Sequence, residues 1–461
     1  MMLHRAARYT LALALLALPA ALRAQAFGLN EIGSCALARG FANTSSPCDD
    51  ASTIYWNPGA MPRRQGLSMY AGAAAIKIDG KFQQDTTGRT YNSEVPTAVV
   101  PHVFLNYRNG PAAFGLGVYV PYGLTSQWGD DFPGRFSAKK AALQTIYFQP
   151  NLSYQVSDNW SAGGGLVIGY SKVELIQGID LSATPTSAGG PTFGQLGFAK
   201  YTEFGRATLK GSATATGFNL GVHGKLTPDL EFGARFLSQV TFSYNRADAS
   251  FVQVPTGLIL AGGNPLAAPP GTPLDAILAA QFSGSGALTA QKVSTGIRNP
   301  PQLQLGFGYS GYQNTTLSAE YAYVGWKTFN QLPVEFEGRA PSKVLREDYN
   351  NTSAIRLGAE RRLMNGAALR AGFSANSSAA PDETVTPLLP EQDRSLGTLG
   401  LGLPVGRYAL DLSYAHIFTP GKRGRLDERA PGSTTAQALA LNSGFYSLTA
   451  NILSVSLKAA F

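Results

Sequence analysis

The most constraining feature of this chain is a two-residue alternation of apolar and polar side chains. In residues 302–309, Leu, Phe and Tyr occupy every second position, and Gln or Gly fills the positions between them. The same period recurs in 408–414 and in 453–461. A period of two separates the faces of a β-strand, whereas a helix would scatter these residues around its circumference. The alternation therefore predicts strands that are apolar on one face only.

The links between these strands also alternate, between compact turns and long polar stretches. The predicted strands cover 66–79, 99–109, 112–122, 143–156, 160–174, 206–225, 230–245, 293–310, 315–327, 352–362, 367–374, 394–403, 408–418 and 445–461. Turn-forming links such as Asn109-Gly110-Pro111 and Met364-Asn365-Gly366 join every second pair. The other links are long, as in 175–205 and 246–292. An up-and-down barrel with both termini on one side of a membrane requires this order.

The expected fold class is all-β, a transmembrane antiparallel up-and-down β-barrel of about 14 strands plugged by an N-terminal hatch. After the N-terminus no stretch reaches the 18 or so apolar residues of a spanning helix. The chain is 14% charged, against about 25% in soluble domains. A soluble β-sandwich is the alternative, but it needs larger inward side chains and no strict order of link lengths.

The N-terminus has the features of a secretory signal. Arg5 and Arg8 precede an apolar run from Tyr9 to Leu22, and Ala24-Gln25-Ala26 offers small residues for cleavage. A membrane anchor that stays attached is the alternative. The predicted division is 1–26 signal peptide, 27–62 hatch and 63–461 transmembrane barrel.

The predicted hatch contains the only two cysteines, Cys35 and Cys48. Export to an oxidising compartment makes a disulfide between them a candidate. No metal site and no cofactor is expected. The segment 27–62 lacks strand alternation, so it is either a free tail or a plug that fills a wide lumen.

Several segments resemble the FadL family of outer-membrane transporters. They are Phe27–Glu31, Ala38–Ala42, Asp50–Met61, Val120–Leu124, Gly134–Ala138, Pro301–Trp326, Leu389–Arg394 and Phe445–Phe461. Asn57, Pro58 and Gly59 resemble the hatch motif of the family, with Gly59 where the family usually has Ala. The resemblance implies a fourteen-stranded barrel with a hatch in the outer membrane of a Gram-negative bacterium.

The resemblance also implies a passive route for a hydrophobic ligand. Outer loops capture the ligand, an inner pocket receives it, and it leaves sideways through a gap at a kinked third strand. The residues that could loosen this strand are Gly115, Gly117, Pro121 and Gly123. Pro121 and Gly123 could equally well end the strand.

The two longest loops carry apolar residues that could form the capture groove. The candidates are Phe193, Leu196, Phe198, Phe251, Leu258, Ile259 and Leu260. Apolar residues in outer loops are costly unless they line a groove or pack together, and both interpretations stay open.

A fatty acid would need a cation in the inner pocket. By alternation, Arg235, Arg356 and Lys458 point inward. Each could instead pair with an inward acid such as Glu231 or Glu360.

The expected function is passive uptake of hydrophobic compounds, foremost long-chain fatty acids. An aromatic-hydrocarbon channel of the same fold and a non-transporting barrel such as an adhesin are the alternatives. No enzyme is expected, because His102, His223 and His416 lie on separate strands. The expected partners are a hydrophobic ligand and membrane lipid, with no nucleic acid, and the protein is expected to be a monomer.

Overall fold

The computed structural model describes residues 26–424 and 443–461. The predicted signal peptide, apart from Ala26, lies outside the described residues. So does most of the predicted long link between the last two strands. In the described residues, no helix is both long and apolar enough to cross a membrane.

Fourteen antiparallel strands form the wall, and each corresponds to one predicted strand. They are β1 (Gly66–Gln84), β2 (Ala98–Asn109), β3 (Ala112–Gln127), β4 (Lys140–Gln155), β5 (Trp160–Ile179), β6 (Gly205–Lys225), β7 (Leu230–Leu237 and Val240–Gln253), β8 (Gln291–Asn299 and Gln302–Tyr312), β9 (Thr315–Val324), β10 (Thr352–Arg362), β11 (Ala368–Asn376), β12 (Arg394–Val405), β13 (Tyr408–Phe418) and β14 (Gly444–Ala460). The predicted barrel is confirmed.

The wall is closed by its first and last strands. β1 pairs with β14 without interruption from Ser68 opposite Ala460 to Gln84 opposite Gly444. Closure leaves no open sheet edge between these strands, which is what a barrel in a bilayer requires. The soluble-sandwich alternative is therefore wrong.

The outer face of the wall is apolar in the middle of each strand. On β5, Leu166, Ile168 and Tyr170 are exposed, and on β6 so are Phe218 and Leu220. The inward positions between them on β5 carry Val and Gly, which leave room in the lumen. Aromatic residues such as Trp160 and Phe232 lie in contact near the short turns. The lipid-facing band thus follows directly from the two-residue alternation.

Short elements lie inside the barrel and in the long loops. Inside are helix α1 (Ser34–Ala38), helix α2 (Thr53–Trp56) and the 3-10 turn Pro58–Arg63, and helix α3 (Leu274–Leu278) lies in a long loop. Further short strands are Thr90–Asn92, Gln331–Phe336, Lys343–Arg346 and Lys422–Gly424. Further 3-10 turns are Pro133–Phe136, Phe193–Leu196, Ala279–Gln281, Trp326–Thr328 and Asp382–Thr384.

At two places in the wall, adjacent strands separate toward the long-loop end of the barrel: β2 from β3, and β6 from β7. The β2–β3 ladder stops where His102 faces Tyr119, although β3 continues to Gln127 along β4. Between β6 and β7, residues 211–217 have no ladder partner on β7. At this level β7 is interrupted after Leu237 and β8 at Pro300 and Pro301, where proline supplies no N–H.

Candidate functional site

The segment 27–63 lies inside the barrel, in the half next to the short turns. Most of its apolar side chains are buried, and Ile32, Leu37, Ile54 and Trp56 are fully buried. The Trp56 indole N–H donates to the Ile32 carbonyl at 2.9 Å, which joins the two ends of the segment. We call residues 27–62 of this segment the hatch from here on.

Cys35 and Cys48 are joined by a disulfide within the hatch. Their Cα atoms are 6.2 Å apart, and both residues are buried. The bond closes a loop that holds α1 against the polar stretch before Asp49.

Buried charges fasten the hatch to the wall at β9 and β10. Glu320 on β9 accepts hydrogen bonds from the backbone N–H groups of Asn43 and Thr44, at 3.1 and 2.9 Å. The same carboxylate pairs with Arg356 on β10 at 2.7 Å, and both side chains are almost fully buried. Arg356 also donates to the Asn30 side chain. The hatch backbone thus completes an ion pair of the wall.

Asn57 anchors the opposite side of the hatch. Its amide donates to the carbonyls of Thr44 and Val222, and its side-chain oxygen accepts from the Gly59 N–H at 3.0 Å. A Cβ added at Gly59 would lie 2.7 Å from the Gly221 carbonyl oxygen. The backbone of the hatch therefore touches the wall here, and only glycine fits. Pro58 begins the 3-10 turn.

Two acids at the end of the disulfide loop differ in their environment. Burial raises the pKa of Asp50 to about 6, and the nearby Asp411 carboxylate contributes. Burial also acts on Asp49, but Lys458 and Arg64 outweigh it and lower its pKa.

The three predicted inward cations lie in the lower lumen, and each has different partners. Arg356 pairs with Glu320, and Lys458 donates to the Asp49 carbonyl at 2.8 Å. Arg235 is buried, stacks on the Tyr55 ring at 4.2 Å and donates to the side chains of Asn219 and Gln302. None of the three lines either cavity described next.

The upper lumen holds a cavity of about 930 Å³ between the hatch and the long loops. We call it the chamber. The larger part of its lining is apolar and includes Ile76, Val100, Leu124, Leu143, Val173 and Leu389. Where β6 and β7 separate, the cavity is also lined by the charged residues Lys172, Glu174, Lys210, Arg246 and Asp248. A second cavity of about 70 Å³ shares Leu124, Leu143 and Val173 with the chamber and is walled by Phe27, Leu209, Val293 and Phe329. Together they offer an apolar space large enough for a drug-sized ligand.

Arg394, the first residue of β12, lines the chamber. Its guanidinium donates to the Ala26 carbonyl at 3.0 Å, while its buried Nε has no hydrogen-bond partner in the described part of the chain. No carboxylate of the described residues lies within salt-bridge distance of it. Glu31 lines the same cavity, and burial raises its pKa despite the attraction of Arg394. Leu396 and Thr398 point inward, and Arg394 has the same parity on β12. Strand alternation would therefore have indicated that Arg394 also points inward.

The separation of β2 from β3 opens beside the chamber. Both of its edges line the cavity, Val99 and Val100 on β2 and Val120 and Leu124 on β3. The ladder of β3 with β4 shifts register between Tyr119 and Tyr122. The start of the hatch pairs with the freed edge, since Leu29 N–H donates to the Pro121 carbonyl at 2.8 Å.

The predicted kink residues fall into two groups. Pro121 and Gly123 lie at the separation, and β3 continues beyond them, so the interpretation in which they end the strand is wrong. Gly115 and Gly117 do not lie at the break, because both pair regularly with β2 and β4. A Cβ at Gly115 would lie 2.6 Å from the Met61 side chain of the hatch. These two glycines make room for the hatch.

The predicted groove residues of the long loops mostly pack on one another. Phe193, Leu196 and Leu260 are buried in one cluster with Leu274 and Leu278 of α3. Phe198, Phe251 and Leu258 are partly buried against the cluster, and Ile259 is 62% exposed. Neither described cavity is lined by any of the seven.

A closed barrel with an apolar outer band, an internal plug and an apolar chamber defines an outer-membrane channel for hydrophobic molecules. The chain belongs to the outer membrane transport protein family OMPP1/FadL/TodX, whose sequence model matches residues 15–461.

Relatives and solved structures agree with this membership. The chain is 25% identical over 389 residues to the long-chain fatty acid transport protein of an Escherichia coli O6:H1 strain, covering 81% of this chain and 82% of that protein. It is 25% identical to the 47 kDa outer membrane protein of Pasteurella multocida, with 93% and 95% covered.

Two solved structures share the fold. The FadL homologue of Pseudomonas aeruginosa has a TM-score of 0.78 at 21% identity and covers 95% of this chain and 100% of its own. The toluene transporter TbuX of Ralstonia pickettii has a TM-score of 0.63 at 17% identity, with 95% and 99% covered. The protein is thus an outer-membrane channel of a family that transports hydrophobic compounds.

Proposed function

We propose that the protein takes up long-chain fatty acids passively, with the chain in the chamber and the carboxylate at Arg394. The observation that carries the proposal is the position of Arg394, which lines the chamber beside the start of the hatch and has no acid partner among the described residues. Each methylene buried in such a cavity contributes about 0.8 kcal/mol, which favours a long chain. The Arg394 guanidinium is partly buried, and its buried Nε has no hydrogen-bond partner among the described residues, which favours an anionic head group.

Arg394 replaces the three cations expected from the sequence as the proposed carboxylate partner. Arg356 already pairs with Glu320, and Lys458 lies within 3.6 Å of the Asp49 carboxylate. Arg235 has no acid partner among the described residues, but it lines neither cavity and stacks on Tyr55 of the hatch. Its role is therefore more consistent with holding the hatch.

The proposed exit is the separation between β2 and β3. The hatch residues paired with Pro121 and Gly123 lie between the chamber and the bilayer, so a shift of residues 27–29 would free the opening. Capture by the long loops remains part of the proposal, with the exposed Ile259 as its best-placed residue.

We further propose a division of the chain into three parts and a channel formed by one chain. Residues 1–26 act as an export signal, 27–62 as the hatch and 63–461 as the barrel. A single chain forms the whole channel, since its own first and last strands close the wall. A non-transporting adhesin would have no need of an apolar chamber.

An aromatic-hydrocarbon channel is the competing proposal, favoured by the fold shared with a toluene transporter. Binding of palmitate, methyl palmitate and toluene to the purified protein separates the two. Exchange of Arg394→Gln should weaken palmitate binding by about tenfold, the equivalent of one charge-assisted hydrogen bond. Methyl palmitate and toluene should bind as before.

Arg235→Gln is the matched control, since it removes the same charge outside the chamber. Equal losses for palmitate and its methyl ester in the Arg394 variant would contradict the carboxylate assignment. Strong toluene binding without palmitate binding would favour the aromatic channel.

The exit is tested by a cleavable cross-link between cysteines introduced at Val99 and Leu124, across the separation. Uptake of fatty acid by cells should fall sharply and return on cleavage. The control pair is Val103 and Val118, which already face each other in the intact ladder. Normal uptake with the first cross-link in place would show that the ligand leaves along the barrel axis.

A further inference from the structure

Six cations cluster on the outer surface of the wall, above the apolar band of β4 to β8. They are Lys140, Lys172, Lys210, Arg246, Lys292 and Arg298. Lys172 has the same parity on β5 as the lipid-facing Ile168 and Tyr170, and Lys210 has that of Phe218 on β6. The β5–β6 register is continuous, so both lysines project outward. We call these six residues the outer cationic patch.

Three acids neutralise only part of the patch. Glu174 lies between Lys140 and Lys210, at 2.6 and 3.0 Å. Asp248 pairs with Lys292 at 2.6 Å, and Glu337 with Arg246 at 2.5 Å.

Two cations of the patch remain without an acid among the described residues. Lys172 is exposed and has only the Tyr170 ring near it, at 5.7 Å. Arg298 is exposed, and no carboxylate of the described residues lies within 4 Å of it. The patch thus has two free charges at the edge of the lipid-facing band.

The wall between these cations is polar as well. Where β6 and β7 separate, the exposed outward residues are Ser212, Thr214, Gln239, Thr241 and Ser243. Backbone groups of residues 211–217 also lack ladder partners on β7. Hydrocarbon cannot satisfy such groups, so a polar, hydrogen-bonding layer must meet the wall at this level.

At the corresponding level β12, β13 and β14 carry no outward cation, and the next cation in this row is Lys77 of β1, which pairs with Asn451. There, Gly397, His416 and Asn451 form the outward row directly above Leu399, Tyr414 and Leu453. His416 and Asn451 are hydrogen-bonded to each other at 2.9 Å. Outward cations at this level are concentrated on β4 to β8, where six lie on five adjacent strands. This concentration indicates a specific partner.

We propose that the outer cationic patch binds the phosphorylated glucosamine head group of lipid A in the outer leaflet. Phosphates match Lys172 and Arg298, because lysine and arginine form charge-assisted hydrogen bonds with phosphate. The hydroxyl and amide side chains between them match sugar hydroxyl and amide groups. The long-loop end faces the cell surface, where such lipid is the main component of the leaflet. Lys172, Lys210 and Arg246 also line the chamber, next to the separation of β6 and β7.

The test uses the double variant Lys172→Gln and Arg298→Gln, which breaks no described ion pair. The matched control is Lys77→Gln with Lys81→Gln, which removes the same charge from exposed outward positions on β1. Native mass spectrometry of the purified full chain is titrated with bisphosphorylated lipid A, monophosphorylated lipid A and phosphatidylglycerol. Slower migration on gels after boiling checks that every variant is folded.

The patch variant should lose about a hundredfold in affinity for bisphosphorylated lipid A, roughly tenfold for each phosphate contact. The control should stay within about twofold, and wild-type protein should bind the monophosphorylated form more weakly. Unchanged binding in the patch variant, or an equal loss in the control, would overturn the proposal. So would an equal loss for phosphatidylglycerol, which would reduce the patch to an unspecific anionic-lipid surface.

Discussion

The lower and the upper lumen of this barrel are filled in opposite ways. Below, the hatch is held by buried charges such as Glu320 and Arg356 and by backbone contacts as close as that of Gly59 with Gly221. Above, the same wall encloses about 930 Å³ of largely apolar space. One end of the barrel is packed like a protein interior, and the other is left open for a ligand.

The difference separates two tasks within one wall. A polar interface with many partners fixes a plug in one arrangement, because any shift leaves buried charges unpaired. An apolar cavity gives little positional preference and adapts to flexible chains. Only the first residues of the hatch, 27–31, reach from the packed region to the chamber, so movement is expected to begin there.

Deletion of residues 27–61 is the strongest test of this comparison. Without the hatch the lower lumen should be open to water, and the conductance of reconstituted barrels to small ions should rise manyfold. Planar bilayer recording measures the change, and circular dichroism confirms the barrel. Unchanged conductance would mean that the long loops, rather than the hatch, limit leakage.

Among single substitutions, Glu320→Gln should weaken the attachment of the hatch to the wall of the lower lumen most. It leaves the Arg356 guanidinium buried without an acid, at a cost of about 3–5 kcal/mol. Hydrogen exchange at the N–H groups of Asn43 and Thr44, which donate to Glu320, reports the loss. The control is Glu231→Gln, whose partner Arg63 is 38% exposed. A similar rise in exchange in both variants would show that burial of the ion pair is unimportant.

Asp50 should make the packed half sensitive to pH. Its pKa of about 6 in the folded protein exceeds the ordinary 3.8, so the folded state favours the protonated form. The resulting stabilisation is complete below about pH 4 and is lost as the pH rises through 6. The facing groups are Asp411, which raises the pKa, and Lys458, which lowers it.

Asp50→Asn should therefore raise stability at pH 7.5 by at most about 3 kcal/mol and have little effect at pH 4. Asparagine keeps the oxygen that accepts the Ser52 N–H. Thermal unfolding of the two proteins at both pH values measures the difference. A gain of equal size at both would attribute it to something other than ionisation.

Leu143→Asp should affect ligand binding in the chamber and leave the hatch unchanged. A carboxylate in the chamber would repel the head group and disfavour the chain of a fatty acid, so palmitate binding should weaken by about tenfold. Leu143→Asn provides the uncharged comparison. Faster hydrogen exchange at Asn43 in the Asp variant would contradict the separation of the two compartments, because it would show that the chamber and the hatch are coupled.

The sequence alone determined the wall. Strand number, order and faces follow from a two-residue period and from link lengths, both of which are local properties of the chain. All fourteen strands were predicted in this way, including β8 across Pro300 and Pro301. The motif around Asn57 pointed to the hatch through its resemblance to the FadL family, since an Asn-Pro pair alone indicates only a turn.

The tertiary structure decided which inward residues meet the ligand. Alternation marks Arg235, Arg356 and Arg394 equally as inward, but the lumen has two compartments, and only the path of the hatch assigns each residue to one of them. Gly115 and Gly117 resemble flexible wall positions in the sequence, yet they accommodate Ile54 and Met61 from a distant segment. Contacts between residues far apart in the chain leave no local period, so the sequence cannot reveal them.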